Sequence, residues 1–162
     1  MDEKKHTLTY EGLKAFEEEL ENLKVNKRQE IAQKIKEARA QGDLSENAEY
    51  DAAKDEQRDI ETRIEELEKI LKNVEVIDED EVDTETINIG CKVRIKDMEL
   101  KEELSYKIVG STEANSIEGK ISNESPVGKA LLGRKKGETV AVETPIGVIK
   151  YKVLGIEKGN TN

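Results

Sequence analysis

The sequence predicts an α+β protein: an N-terminal antiparallel coiled-coil hairpin of two long helices, then a small antiparallel β-sheet domain with one short helix. Three observations carry this. Two apolar runs advance in steps of three and four residues. Their residue numbers mirror one another about a short polar interruption, and beyond an acidic stretch at residues 78–83 the apolar period falls to two. The implied divisions are a hairpin over residues 1–78 with an acidic tip at 42–47, an acidic linker at 79–87, and the sheet domain at 88–162.

Residues 1–7 are polar and charged and read as a loose start; Thr9 can cap a helix entered at Tyr10. The first apolar run is Leu13, Phe16, Leu20, Leu23, Ile31, Ile35 and Ala38, with Lys27 filling the gap between Leu23 and Ile31. The second is Tyr50, Ala53, Gln57, Ile60, Ile64, Leu67, Leu71 and Val74. Antiparallel pairing about a tip requires partner numbers to add to a nearly constant sum. They do: Ala38 with Tyr50, Ile35 with Ala53, Ile31 with Gln57, Leu23 with Ile64, Leu20 with Leu67, Phe16 with Leu71 and Leu13 with Val74 each give 87 or 88. Lys27 and Gln57 are polar seam positions that fix register at some cost in stability. The eleven-residue interval from Leu20 to Ile31 relaxes a left-handed supercoil locally. About 30 residues per arm at roughly 1.5 Å rise gives a rod of about 45 Å, so the tip is remote from other chemistry.

Past the acidic run, Val93 with Ile95, Tyr106 with Ile108, Ile117 with Ile121, Val140 with Val142, and Ile149 with Tyr151 and Val153 read as short antiparallel strands with one buried face. Thr144-Pro145-Ile146-Gly147 is a turn, making the last two strands a hairpin. Residues 126–133 fit a short helix with Ser125 as cap, Pro126 at its first position and Gly133 as stop.

Composition narrows the function. With 35% hydrophobic and 40% charged residues the apolar supply is thin, which suits an extended helical element. One Phe, four Tyr and no Trp leave little to line an aromatic ligand pocket or to stack bases. A net charge of −10 argues against strong duplex DNA binding by the free protein. Most of the excess lies in residues 1–78, with 14 Lys or Arg against 22 Asp or Glu. Within that half, residues 24–39 carry Lys24, Lys27, Arg28, Lys34, Lys36 and Arg39 against Glu30 and Glu37. That segment reads either as a basic track approaching the tip or as a solvated face laced with ion pairs. Cys91 is alone and cannot form an internal disulfide; with no signal peptide or apolar span visible, a reducing cytoplasm and no membrane are expected. His6 has no companion and reads as solvated. With His6 and Cys91 the sole members of their types, only carboxylates remain for chemistry.

The carboxylates of interest are Asp43 and Glu46, in Gly42-Asp43-Leu44-Ser45-Glu46-Asn47-Ala48-Glu49-Tyr50. Two readings stand side by side. Gly42 suits the left-handed position that closes a helix, and Asp43 with Glu46 has capping-box spacing for the next one. Alternatively, the pair is displayed at the end of the rod. Two carboxylates are too few to hold Mg²⁺ alone, so the second reading makes the tip an incomplete site.

The stretch Arg39-Ala40-Gln41-Gly42-Asp43-Leu44-Ser45-Glu46-Asn47-Ala48-Glu49-Tyr50-Asp51-Ala52-Ala53-Lys54 resembles the tip signature of the bacterial Gre transcript-cleavage factors, GreA type, and the likeness runs on through Val76-Ile77-Asp78 to Ser125-Pro126 and the C-terminal strands. The resemblance implies an FKBP-like fold for the C-terminal domain, acting as a docking module. It implies insertion of the hairpin through the secondary channel of backtracked RNA polymerase, where Asp43 and Glu46 help retain a Mg²⁺ shared with the polymerase active centre. The polymerase then cuts its own RNA, with no turnover by the factor and no cofactor bound stably by the free chain. Arg39 and Lys54 match basic positions that meet the nascent RNA 3′ segment, and Ser125 with Pro126 matches the surface that docks at the channel rim. Ser45 stands where some members have Lys, so that contact does not carry over. The modest basic track resembles GreA-type members, which release very short fragments, more than GreB. Competing readings are a channel-binding regulator without cleavage, a hairpin scaffold or chaperone, and a prolyl isomerase. The retained Asp43 and Glu46 disfavour the first, the scarcity of apolar residues at the tip the second, and the aromatic shortage the third.

Overall fold

The computed structural model describes residues 5–43 and 47–160. They form two compact units, one of residues 13–73 and the other of residues 5–12 with 74–160.

The first unit is the hairpin. Helix α1 (Tyr10–Asn22), whose first three residues belong to the other unit, runs through a π-helical turn at Leu23–Lys27 into α2 (Arg28–Ala40), and α3 (Ala48–Lys72) returns. Ile31, Ile35, Ala53, Ile60 and Ile64 are buried along the seam, with Leu20, Leu23 and Tyr50 packed against them. The two arms therefore pair as the residue arithmetic requires over the distal part. The departure lies midway. Eight residues from Leu23 to Ile31, at about 100° each, overshoot two turns by roughly 80°. The wide turn, closed by Arg28 N–H donating to the Leu23 carbonyl, takes that rotation back. Lys27 is consequently exposed, with its ammonium 3.3 Å from Glu30, and is not a seam residue. The other end of the predicted seam also changes: Val74 has left the helix and pairs with His6 in a strand.

Charged pairs lace the arms together. The Arg28 guanidinium grips Glu61 at 2.7 and 2.8 Å, Arg63 grips Glu19 at 2.6 and 3.0 Å, Lys24 meets Glu68 at 2.6 Å, and Lys34 meets Glu56 at 3.2 Å. Such exposed pairs each contribute little, and the two-pronged arginine pairs are the better ones.

In the second unit, β1 (His6–Thr9) lies parallel to β2 (Val74–Ile77), so His6 and Thr7 are held in a strand rather than loose, and residues 1–4 of the expected loose start lie outside the described residues. The Thr9 hydroxyl accepts from Gly12 N–H at 3.1 Å, capping α1 as expected, and donates to buried Glu113 at 2.7 Å; the Thr9 amide donates to the other Glu113 oxygen at 2.8 Å. His6 is half-buried with Nδ1 2.8 Å from the Thr112 hydroxyl, correcting the solvated reading. Residues 79–87 do not behave as a linker. They begin with a 3-10 turn at Glu79–Glu81; Glu79 is buried with its carboxylate 2.9 Å from the Lys107 ammonium, and Ile87 is fully buried. A charge run looks solvated in sequence, but a buried carboxylate with a matched cation belongs to a folded layer.

The larger sheet has strand order β5-β4-β3-β7-β6, with β3 Cys91–Asp97, β4 Glu103–Val109, β5 Lys120–Ser122, β6 Thr139–Thr144 and β7 Gly147–Lys158. Four strands pair antiparallel, but β5 joins β4 in parallel, so the sheet is mixed. Ile117 is not in a strand. The Asn115 side chain accepts from the Ile117 amide at 3.0 Å, which bends the chain and leaves Ile117 fully exposed before β5 begins. The β6–β7 hairpin turns at Pro145 and Ile146 as expected. Helix α4 (Pro126–Leu131) buries Leu131 among Val93, Ile95, Ile108, Val140 and Val153.

Cys91 is fully buried on β3, and burial pushes its thiol above the ordinary range. A thiol-reactive reagent should therefore leave the native protein unlabelled and react once denaturant unfolds it; rapid native labelling would contradict this packing. In the hairpin, Arg28 holds the Glu61 carboxyl below its usual range, chiefly through their hydrogen bond. A depressed carboxyl contributes stability above its unfolded value, near 4.3, and loses it as pH falls through the folded one. Thermal melts of an Arg28→Gln variant should accordingly depend less on pH below about 5 than those of the parent.

Candidate functional site

The hairpin tip is built by two helix ends that share one side chain. α2 closes with Gln41 N–H on the Ala38 carbonyl at 3.2 Å, and Gly42 then takes φ of +124°, a left-handed conformation that favours glycine. α3 opens at Ala48, and its cap is Asn47, whose side-chain oxygen accepts from Tyr50 N–H at 3.0 Å. The same side chain donates through Nδ2 to the Ala38 carbonyl at 2.6 Å. Asn47 thus satisfies an orphan amide of one helix and an orphan carbonyl of the other.

This corrects the capping-box reading, in which Asp43 caps the second helix. The helix begins four residues later than that box requires, and Asn47 holds the capping position. Asp43 is exposed on the turn. It borders a shallow depression of about 290 Å³ with Gln41, Asn47, Ala48 and Glu49. Glu46 lies outside the described residues.

The flanking basic residues are tethered. The Arg39 guanidinium lies over the Tyr50 ring, 5.8 Å from its centroid, a cation–π placement that joins the two arms. The Lys54 ammonium is half-buried and donates to Gln57 at 3.0 Å. The basic track behind them is spoken for, since Lys24, Arg28 and Lys34 each pair with a glutamate of α3. The laced-face reading of that segment holds for these three. Among the described residues no group of three or more His, Cys, Asp or Glu is arranged to hold a metal ion. Asp43 is a hard, exposed oxygen donor, which fits Mg²⁺ as one part of a shell completed by another molecule.

In the other unit, the Ser125 hydroxyl accepts from Gly128 N–H at 3.1 Å and donates to the Ser122 carbonyl at 2.7 Å, so it caps α4, while the Pro126 ring is exposed. A side chain at Gly128 would strike that Ser122 carbonyl, its Cβ coming within 2.0 Å. The loop that presents Pro126 depends on this close approach.

Two family models divide the chain: one described as the N-terminal part of a transcription elongation factor matches residues 6–76, and one described as the C-terminal part of transcription elongation factor GreA/GreB matches residues 81–158. The chain belongs to the GreA/GreB family of transcription elongation factors. It is 71% identical over 160 residues to transcription elongation factor GreA of Lachnoclostridium phytofermentans, covering 99% of this chain and 100% of that one. It is 60% identical over 151 residues to GreA of Caldanaerobacter subterraneus, covering 93% and 96%. The family resemblance read from the tip and the later strands is therefore correct, and the type is GreA. Among solved structures, GreA factor homolog 1 (Gfh1) of Thermus thermophilus is 33% identical over 95% of this chain and 99% of that chain, with a TM-score of 0.43. Among the described residues no helix is long and apolar enough to cross a membrane.

Sequence reasoning missed Asn47 because it assigned the cap by capping-box spacing. The signal was present: Asn47 is a strong cap residue directly before the apolar-periodic run that starts at Tyr50. Replacing it with Ala should lower hairpin stability by about 1–3 kcal/mol, since a cap and an inter-helix hydrogen bond are both lost. Urea unfolding followed by helical ellipticity measures this. Asn47→Asp, which keeps the acceptor and loses the donor, should fall between the two.

Proposed function

We propose that this chain rescues arrested transcription by inserting its coiled-coil tip into the secondary channel of backtracked bacterial RNA polymerase and stimulating the polymerase's own cleavage of the RNA 3′ end. The observation that carries the proposal is Asp43, exposed on a turn whose two flanking helices are locked to each other by Asn47. A carboxylate placed beside two helix ends that are tied together is brought near its working position before binding.

In this reading the chain supplies oxygen ligands and position, and it has no turnover of its own. Asp43 and Glu46 complete the shell of a Mg²⁺ shared with the polymerase, and the ion when bound activates water and stabilises the departing oxygen in phosphodiester hydrolysis. Arg39 and Lys54 face the extruded RNA 3′ segment. Arg39 reaches it from a guanidinium already oriented by Tyr50. Phosphate contact by these residues needs no new side chain to be ordered, only the release of Lys54 from Gln57. The exposed Pro126 ring, set by the Ser125 cap, docks at the channel rim and holds the factor while the tip acts.

The test uses polymerase halted in a backtracked complex with 3′-labelled RNA and Mg²⁺. The parent chain should release a short labelled fragment promptly. The Asp43→Ala/Glu46→Ala variant should bind the polymerase and lose about two orders of magnitude in stimulated rate, the range seen when a group stabilising charge at a reacting centre is removed. Equal cleavage by both would remove the carboxylates from the mechanism. Binding without stimulation by either would mean a channel regulator that does not cleave.

A further inference from the structure

The five-stranded sheet buries one face under α4, and its other face carries a surface with a chemistry of its own. In the register of the sheet, Lys92, Arg94 and Lys96 of β3 and Lys150 and Lys152 of β7 alternate with the buried Val93, Ile95, Tyr151 and Val153, so all five cations share the outer face. The hairpin cations Lys24, Arg28, Lys34 and Arg63 are each taken up by a carboxylate, whereas among the described residues none of these five forms an ion pair. Of the carboxylates that share this face, Glu157 stands directly opposite Lys92 and Glu103 directly opposite Lys96, while Glu143 lies on the edge strand. Beside Lys92, Lys107 is buried against Glu79, so Arg94, Lys150 and Lys152 are the cations with no carboxylate opposite them in the register. In a chain of net charge −10, a stripe of three neighbouring cations with no facing carboxylate, Arg94, Lys150 and Lys152, is a local reversal of sign.

The stripe ends in apolar side chains. Val148 lies on the same outer face as Lys150 and is 57% exposed, and Ile146 at the hairpin turn is 90% exposed. Met98, whose amide donates to the Lys150 carbonyl at 2.9 Å, is 44% exposed, and Leu100 in the same turn is 66% exposed. Single exposed hydrophobic residues are ordinary, but four at one end of a sheet, adjoining unpaired cations, form a patch. This end is not the Ser125-Pro126 end. β5 leads into that loop beside Val109, at the start of β3, and β3 runs from there to Met98, about 25 Å away at roughly 3.3 Å per residue.

We propose that this face is a second docking surface, and that its occupant is an acidic protein segment bearing apolar residues on RNA polymerase, an assignment that rests on the reading that this chain works on that enzyme. The cations select negative charge and the apolar end supplies the area that holds. A bare phosphate backbone would use the cations alone, and the patch offers no aromatic ring on which a base could stack.

The test compares the full chain with two variants, Lys150→Glu/Lys152→Glu and Ile146→Ser/Val148→Ser, by titrating each into RNA polymerase at two salt concentrations. All four side chains are exposed or nearly so, and circular dichroism melts should coincide with the parent. The expected result is at least a tenfold weaker Kd for each variant, with the charge-reversed pair losing most of the salt dependence and the serine pair keeping it. Unchanged Kd for both variants beside a tight-binding parent overturns the docking face and leaves the function standing. A parent that does not bind polymerase overturns both. If instead the parent binds duplex DNA or anionic vesicles, or self-associates, and the variants do not, the face belongs to phosphate, lipid or a second copy, and the proposal fails.

Discussion

A helical hairpin has no interior, so its persistence rests on a seam one side chain wide. Ile31, Ile35, Ala53, Ile60 and Ile64 are what the distal arms have in place of a core. Each is fully committed, because a seam offers no alternative packing if a residue rotates out of line. That constraint explains the π-helical turn at Leu23–Lys27. The sequence places Leu23 and Ile31 out of phase for a regular α-helix, and burial on one narrow line outweighs the cost of a widened turn. It also explains the tip. Two helices that must stay in register up to their ends need a clamp there, and Asn47 provides it with donor and acceptor on one side chain.

Charge follows the same division. On the hairpin Lys24, Arg28, Lys34 and Arg63 are partnered across the arms, which neutralises them locally and leaves the hairpin's excess of carboxylates to set its field. On the sheet Lys92, Arg94, Lys96, Lys150 and Lys152 face outward without an ion pair, while Lys107 is buried against Glu79. One chain therefore presents two surfaces of opposite electrostatic character, and its overall net charge describes neither.

The parts of this fold that follow a period were legible before any coordinates. The seam pairing near the tip, the strands around Val93, Tyr106, Val140 and Tyr151, the Pro145-Ile146 turn and the Ser125-Pro126 helix start all come from spacing and local turn chemistry. What was not legible depends on partners distant in sequence. His6 to Thr9 looks like a polar tail until Val74 to Ile77 lies beside it, and Glu79 looks like part of a solvated acidic run until Lys107 is found 2.9 Å away. Ile117 fails for a local reason, since the Asx turn made by Asn115 breaks the alternation that suggested a strand. At the site, Gly42 was readable from its conformation, Asp43 from the family signature, and Asn47 was hidden behind a competing cap.

The parallel pairing of His6–Thr9 with Val74–Ile77 has a consequence for synthesis. The first strand leaves the ribosome early, yet its sheet partner emerges only after the whole hairpin, and the Glu113 carboxylate that fastens Thr9 comes later still, 104 residues along. The hairpin, whose contacts are made within residues 13–73, can close as soon as its second arm is out. Its closure then delivers the two strands to one another, since they flank it in the chain. The rod that presents the tip thus doubles as the device that shortens the entropic search for the sheet unit's own N-terminal edge.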